Sequence, residues 1–311
     1  MKQISFLFTL STLVLTACMT PIAPATLTID DKLAEIQARG TLVIATDPDY
    51  APQSLLLRNA KPPAETKCAS TQYTASQFEG FDVDVALEIA KKLNVEPCFV
   101  TPPWSQLVAG KWGDNWDIHV GSVAITFERM KDLYFSQPYY ATPTVLLVYK
   151  ENTSYQEIDD LSDKKIGICV GCIFESYLNA DLKLPGQELN YRIKNAQVVA
   201  YENEEPAIDD LSLGDGVELD AVMTILPKAR AAIDSGKPIR MLEEAVMFGY
   251  ASVTLDRSSH RDSARLLAEI NHIINDMHSS GRLKELSLQY QGIDLTQQAA
   301  QFDISSIDQT P

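Results

Sequence analysis

The chain has 311 residues, 45% of them hydrophobic and 22% charged, with a formal net charge of −16. That composition belongs to a folded globular protein, and the length exceeds one ordinary core, so two domains or lobes are expected. The acidic balance argues against nucleic acid or an anionic membrane surface as a partner, because both attract basic patches.

Residues 1–17 read as an export signal: Lys2 supplies a positive start, and Ile4 to Leu15 form an apolar run too short to span a bilayer comfortably. Leu15-Thr16-Ala17-Cys18 then resembles the lipobox of bacterial lipoproteins, which implies cleavage before Cys18 and lipidation of that cysteine. Such an anchor carries several acyl chains, enough for stable attachment where one is marginal. The alternative is an ordinary secretory signal with an incidental cysteine. Residues 18–30, with Pro21 and Pro24, read as the lipid-anchored tether.

Export places the other cysteines where disulfides persist. Cys68, Cys98, Cys169 and Cys172 allow three pairings. Cys68–Cys98 with Cys169–Cys172 is expected, because each pair then falls within one lobe. Cys169-Val-Gly-Cys172 at a strand-to-helix junction also suits a redox pair, since a helix N-terminus favours a thiolate. No other thioredoxin-like feature accompanies it, so a short-loop disulfide or small cleft-lining residues is the expectation.

In chain order, Asp30 to Gln37 predicts a short helix stopped by Gly40, and Thr41 to Ala45 a buried strand. Asp47-Pro-Asp-Tyr50-Ala-Pro52 is a turn at that strand's carboxyl end. Residues 58–79 are polar and read as an insertion closed by the Cys68 disulfide. Gly80 to Leu93 sets Val83, Ala86, Leu87, Ala90 and Leu93 on one helical face. A strand (Glu96 to Thr101) and a short helix (Trp104 to Ala109) lead to Trp116–Tyr140.

There Ile118 and Val120 alternate as in a buried strand, and Gly121 and Ser122 are small enough for close approach of a ligand. Arg129 follows, a planar fork of donors that matches a carboxylate. Beyond Pro143, strands are expected at Val145–Tyr149, Lys165–Val170, Gln197–Tyr201 and Asp220–Thr224, alternating with helices from Phe174, Glu205 to Leu213, and Lys228 to Ile233. The chain returns with a strand at Ala251–Leu255. A long helix with an apolar stripe follows (Leu266, Ile270, Ile273, Met277), then a last helix, Leu283 to Tyr290. Residues 295–311 read as a loosely held polar tail. The alternation is that of an α/β protein.

From about Leu33 to Gly292 the chain resembles the bacterial extracellular solute-binding proteins of family 3. The residues that carry the resemblance are Ala45-Thr-Asp-Pro-Asp-Tyr-Ala-Pro52, Gly80-Phe-Asp-Val-Asp-Val-Ala-Leu-Glu-Ile-Ala90, Ala124-Ile-Thr-Phe-Glu-Arg129, Phe135-Ser-Gln-Pro-Tyr-Tyr140, Leu219-Asp-Ala-Val222 and Phe248-Gly249. The resemblance implies a two-lobed periplasmic-binding-protein fold (type II), closing by a hinge on a ligand cleft between lobes. Residues 31–142 and 249–294 would form lobe 1, residues 143–248 lobe 2, and residues 295–311 the tail. It further implies that Arg129 clamps a ligand carboxylate, helped by groups at Ser122 and Ala124. Tyr50 and Trp104 would sandwich the ligand side chain, and Asp47 would reach its polar end.

The departures from the family pattern are specific. Ala124 lacks the usual hydroxyl, and Gly171-Cys172-Ile173 replaces a Gly-Thr-Thr-like turn. The aspartate that pairs with an α-ammonium falls on Ile225, leaving that cation unpaired at a cost of several kcal/mol. Either Thr224 or Asp47 substitutes, or the ligand has no α-ammonium.

The expected function is an extracytoplasmic, monomeric receptor that hands a small polar carboxylate, an amino acid or a relative, to an ABC permease. The alternative is a cyclohexadienyl-dehydratase-like enzyme using the same cleft, with Glu175, Glu204 or Glu205 as acid. His119, His260, His272 and His278 lack metal-ligand spacing, so neither metal nor cofactor is expected, and His272 and His278 read as helix-surface residues.

Overall fold

The computed structural model describes residues 30–309. The export signal, Cys18 and all of the tether except residue 30 lie outside the described residues. Two α/β lobes share one continuous sheet of ten strands. In the first lobe, Thr41–Ala45 lies parallel between Glu96–Val100 and Ile118–Ala124. All five residues of that central strand are buried, as both faces of a covered parallel strand must be.

The helix Phe81–Lys92 covers one face with Phe81, Val83, Val85, Ala86, Ile89 and Ala90. Its ends suit the helix dipole: Asp82 and Asp84 stand in the first turn, Lys91 and Lys92 in the last. The long helix Ala264–Ser279 packs beside it through Leu266, Ile270, Ile273, Ile274 and Met277. The polar insertion folds back onto the sheet edge. Tyr73–Thr74 pairs with Glu96–Val100, and the Cys68–Cys98 disulfide ties the insertion to that same strand.

The 17-residue strand Leu133–Tyr149 joins the lobes. It runs antiparallel to Met247–Asp256 from Leu133 to Thr144, then to Ala221–Ile225 from Thr144 to Val148. Lys165–Cys169 and Gln197–Tyr201 complete the second lobe in parallel. The helices Glu204–Leu211 and Leu226–Asp234 seal one face of this half, burying Ala207, Ile208, Leu211 and Ala229. Among the described residues, no helix is long and apolar enough to cross a membrane.

The segment expected to be a loose tail is docked. Gln297–Gln301 is helical, and Ala299 and Ile304 are buried. The Gln137 amide donates to the carbonyls of Ala299 (3.1 Å) and Phe302 (2.5 Å). Phe302 stacks on Tyr250 at 4.5 Å, and the Gln309 amide exchanges two hydrogen bonds with the backbone of Phe135. Buried polar partners therefore hold a sequence that carries little apolar pattern of its own.

Candidate functional site

The cleft opens between the lobes, at the carboxyl ends of strands from both halves, where open α/β sheets place their ligands. From the first lobe come Asp47, Tyr50, Trp104, Gly121, Ser122, Ala124 and Arg129. Thr142, Thr144 and Gly249 come from the joining strands, and Cys172, Phe174, Glu204 and Ile225 from the second lobe.

The strand Ile118–Ala124 delivers the floor. Ser122 sits in the left-handed region at φ 60°, a strained place for a serine, and a closed network holds it there. Its N–H donates to the Tyr139 hydroxyl at 2.9 Å, and its own hydroxyl donates to Asp82 at 2.7 Å. Tyr139 donates to the other Asp82 oxygen, and Tyr140 donates to Ser122 Oγ. Asp82 is fully buried, and burial pushes its carboxyl up to about 7 despite the bonds from Ser122 and Tyr139. Ser122 thus lines the cleft with both of its donors turned inward, which differs from the expectation of a donor to ligand.

Beneath Gly121 lies His119, fully buried, with neither ring nitrogen bonded. Burial and the charge of Arg129 lower its pKa to about 3, so it is neutral. A Cβ at Gly121 would come within 2.4 Å of the His119 Nε2, which explains the glycine. His260 lies exposed beside Asp114, and His272 is exposed. His278, expected on a helix surface, is half-buried with Nε2 2.8 Å from the Pro138 carbonyl oxygen.

Arg129 crosses the cleft. One terminal nitrogen donates to the Ala124 carbonyl at 3.0 Å, the other to the Gly171 carbonyl of the second lobe at 2.8 Å. Its guanidinium lies 5.6 Å from the centre of the Trp104 ring. Burial lowers its pKa to about 10, which leaves it fully charged at neutral pH. Among the described residues, no carboxylate ion-pairs with it. Gly171 has φ 74°, and a Cβ there would come within 3.4 Å of the Trp104 ring.

Cys172 lines the cleft in a disulfide with Cys169. Among the described residues these two sulfurs and Glu204 form the one group with metal-ligand proximity, and their disulfide leaves no thiolate to coordinate a metal. Ile225 faces the cleft, whereas Thr224 is fully buried and is not part of the lining. Its hydroxyl lies on the side of Glu204, whose ionised form it favours, so Thr224 does not occupy the place offered to it.

Among the three candidate acids, Glu175 is exposed and Glu205 pairs with Lys228 and Lys237 at 2.8 and 3.1 Å. Only Glu204 enters the cleft. Asn203 caps its helix by accepting from the Glu205 N–H, and that start turns Glu204 inward. Glu204 is buried, its Oε1 stands 3.6 Å from Cys169 Sγ, and its Oε2 has no hydrogen-bond partner. Burial raises its pKa to about 7, with Lys228 and Thr224 drawing it partly back. Asp47 is raised by burial as well. Thr142 and Thr144, missed as site residues, were legible as alternate positions of the joining strand.

The family description "bacterial extracellular solute-binding proteins, family 3" matches residues 42–293. The L-cystine-binding protein of Escherichia coli (strain K12) is 28% identical over 269 residues, covering 85% of this chain and 87% of that protein. The lysine/arginine/ornithine-binding periplasmic protein of the same strain is 25% identical, over 80% and 87%. Among solved structures, an ancestral amino acid-binding protein described as a precursor of cyclohexadienyl dehydratase aligns with a TM-score of 0.67 at 25% identity. That alignment covers 84% of this chain and 100% of the other. An L-arginine-bound ABC-transporter substrate-binding protein from Streptococcus pneumoniae shares the fold, with a TM-score of 0.65 at 24% identity over 84% and 99%.

Proposed function

Because the chain belongs to the bacterial extracellular solute-binding proteins, family 3, we propose that its cleft captures an amino acid outside the cytoplasm for delivery to an ABC permease. The observation that carries this reading is Arg129: a half-buried, charged guanidinium whose hydrogen bonds go to two backbone carbonyls and which, among the described residues, has no carboxylate ion-paired with it. A partly desolvated cation without an anion is costly, and a ligand carboxylate would relieve it through charge-assisted bonds. Trp104 and Tyr50 flank the space in which the rest of the ligand would lie. The names of the relatives, which bind cystine, lysine, arginine and ornithine, support the amino-acid class.

In this reading residues 31–142 and 249–294 move as one lobe and residues 143–248 as the other. Lipidation at Cys18 would hold the receptor at a membrane, and the monomer would meet the permease through the closed lobes. Binding rather than turnover is the proposed role, which the names of the relatives, all binding proteins, support.

Calorimetry against the proteinogenic amino acids and cystine tests the proposal. At least one should bind, and Arg129→Gln should weaken it by a hundredfold or more, from the loss of a bidentate charged contact of about 3 kcal/mol. Unchanged affinity in Arg129→Gln would sink the carboxylate clamp. Prephenate and arogenate should remain intact on incubation, and their turnover would favour the enzyme.

A further inference from the structure

The ligand has a second pole. Glu204 lies in the cleft wall with one carboxylate oxygen unpartnered, a cost that a protein interior seldom bears without a use. The nearest cation, Lys228, is committed to Glu205 at 2.8 Å and lies 5.9 Å from the Tyr50 ring centre. Among the described residues, no basic group ion-pairs with Glu204. Asp47 and Glu202 line the same space, so carboxylates outnumber the single cation, Arg129.

We propose that Glu204 receives the side-chain ammonium or guanidinium of a basic amino acid whose α-carboxylate lies on Arg129. This deepens the receptor reading and rests on it. The two poles stand on different walls of the cleft: Arg129 follows the first-lobe strand and bonds the Ala124 carbonyl, and Glu204 begins a second-lobe helix beside the Cys169 sulfur. Lys228, Asp47 and Glu205 bear electrostatically on Glu204. An α-ammonium beside a carboxylate on Arg129 would lie at the near pole, which leaves Glu204 for a cation further along the side chain. The Tyr50 face and the apolar Ile225 and Phe174 line the route between them.

Capture is then linked to a proton. The groups that face Glu204 are Lys228, which favours its ionised form, and Asp47 and Glu205, which oppose it. Tyr50 and Tyr140 are held neutral by burial, and the Cys169 sulfur is locked in its disulfide. With the free carboxyl near 7, the empty cleft at pH 6 holds Glu204 mostly protonated. A nitrogen cation would select the carboxylate and expel that proton.

The experiment is titration calorimetry with L-arginine, L-lysine and L-norleucine, from about pH 5.5 to pH 8, in two buffers of different ionisation enthalpy. Norleucine keeps both α-groups and lacks the distal cation. L-arginine or L-lysine should bind about thirtyfold more tightly at the upper pH, with close to one proton released per site at pH 6. Norleucine should bind more weakly, with a flat profile. Glu204→Gln should retain norleucine affinity, which shows an intact cleft, while losing the basic preference and the pH dependence. Norleucine binding as tightly as the basic amino acids, or arginine affinity within threefold in Glu204→Gln, overturns the assignment and leaves the receptor reading standing. If no amino acid binds at all, both fall. Affinity that decreases as pH rises would mean that Glu204 acts as a neutral donor, and also overturns it.

Discussion

The carboxyl of Asp82 should make the protein lose stability as pH rises through neutrality. Asp82 is fully buried, and its oxygens accept from Ser122 Oγ at 2.7 Å and the Tyr139 hydroxyl at 2.9 Å. Those bonds do not offset burial, and its pKa stands at about 7 against an ordinary value of 3.8. A carboxyl whose folded pKa exceeds its unfolded one contributes stability that is fully present below the unfolded value and is lost as pH rises through the folded value. For these two values the loss between about pH 5 and pH 8 comes to roughly 3 kcal/mol. Asn at position 82 keeps the shape and one acceptor without the ionisation. Urea denaturation of both proteins across that range should show Asp82→Asn gaining about 3 kcal/mol relative to the parent, with most of the change between about pH 5 and pH 7. Glu204 titrates in the same window but is common to both proteins, so it cancels in the difference. A difference that stays constant with pH would refute the account, because it would mean that Asp82 is ionised throughout.

Two further outcomes follow from packing. Ile304→Ala should cost about 2–4 kcal/mol in the same denaturation assay, since Ile304 is buried against the first lobe. A loss below about 0.5 kcal/mol, typical of a surface position, would mean the segment is held only lightly. Gly121→Ala should cost about 1–3 kcal/mol through its clash with the His119 ring, and His119→Ala in the same chain should relieve much of that cost. Equal penalties with and without the histidine would dispose of that contact as the cause.

Much of the fold was legible because its signals are local. The stripe Leu266, Ile270, Ile273 and Met277 specifies a helix face, and the run Thr41–Ala45 specifies a strand buried on both sides. The cleft was legible where a small residue or a charge ends a strand, as at Gly121, Ser122 and Arg129. What the sequence hid depends on partners distant along the chain. Glu204 was one of three candidate acids, and nothing local separated it from Glu175 and Glu205; the helix start at Asn203 turns it inward. Thr224 and Ile225 could not be told apart, because alternation separates two faces of a strand only when one of them is wet. The final segment looks like a tail because its hydrogen-bond partner, Gln137, lies more than 150 positions earlier.

The joining strands carry a thermodynamic consequence. Thr142 to Thr144 and Met247 to Gly249 remain paired with each other as they pass between the lobes. An opening motion must therefore be distributed as a change in the coil of one two-stranded ribbon, since neither crossover can swivel alone. The unliganded ensemble is correspondingly narrower than that of a receptor with two unpaired linkers. Less configurational freedom is surrendered when a ligand draws the lobes together, so more of the contact energy appears as affinity.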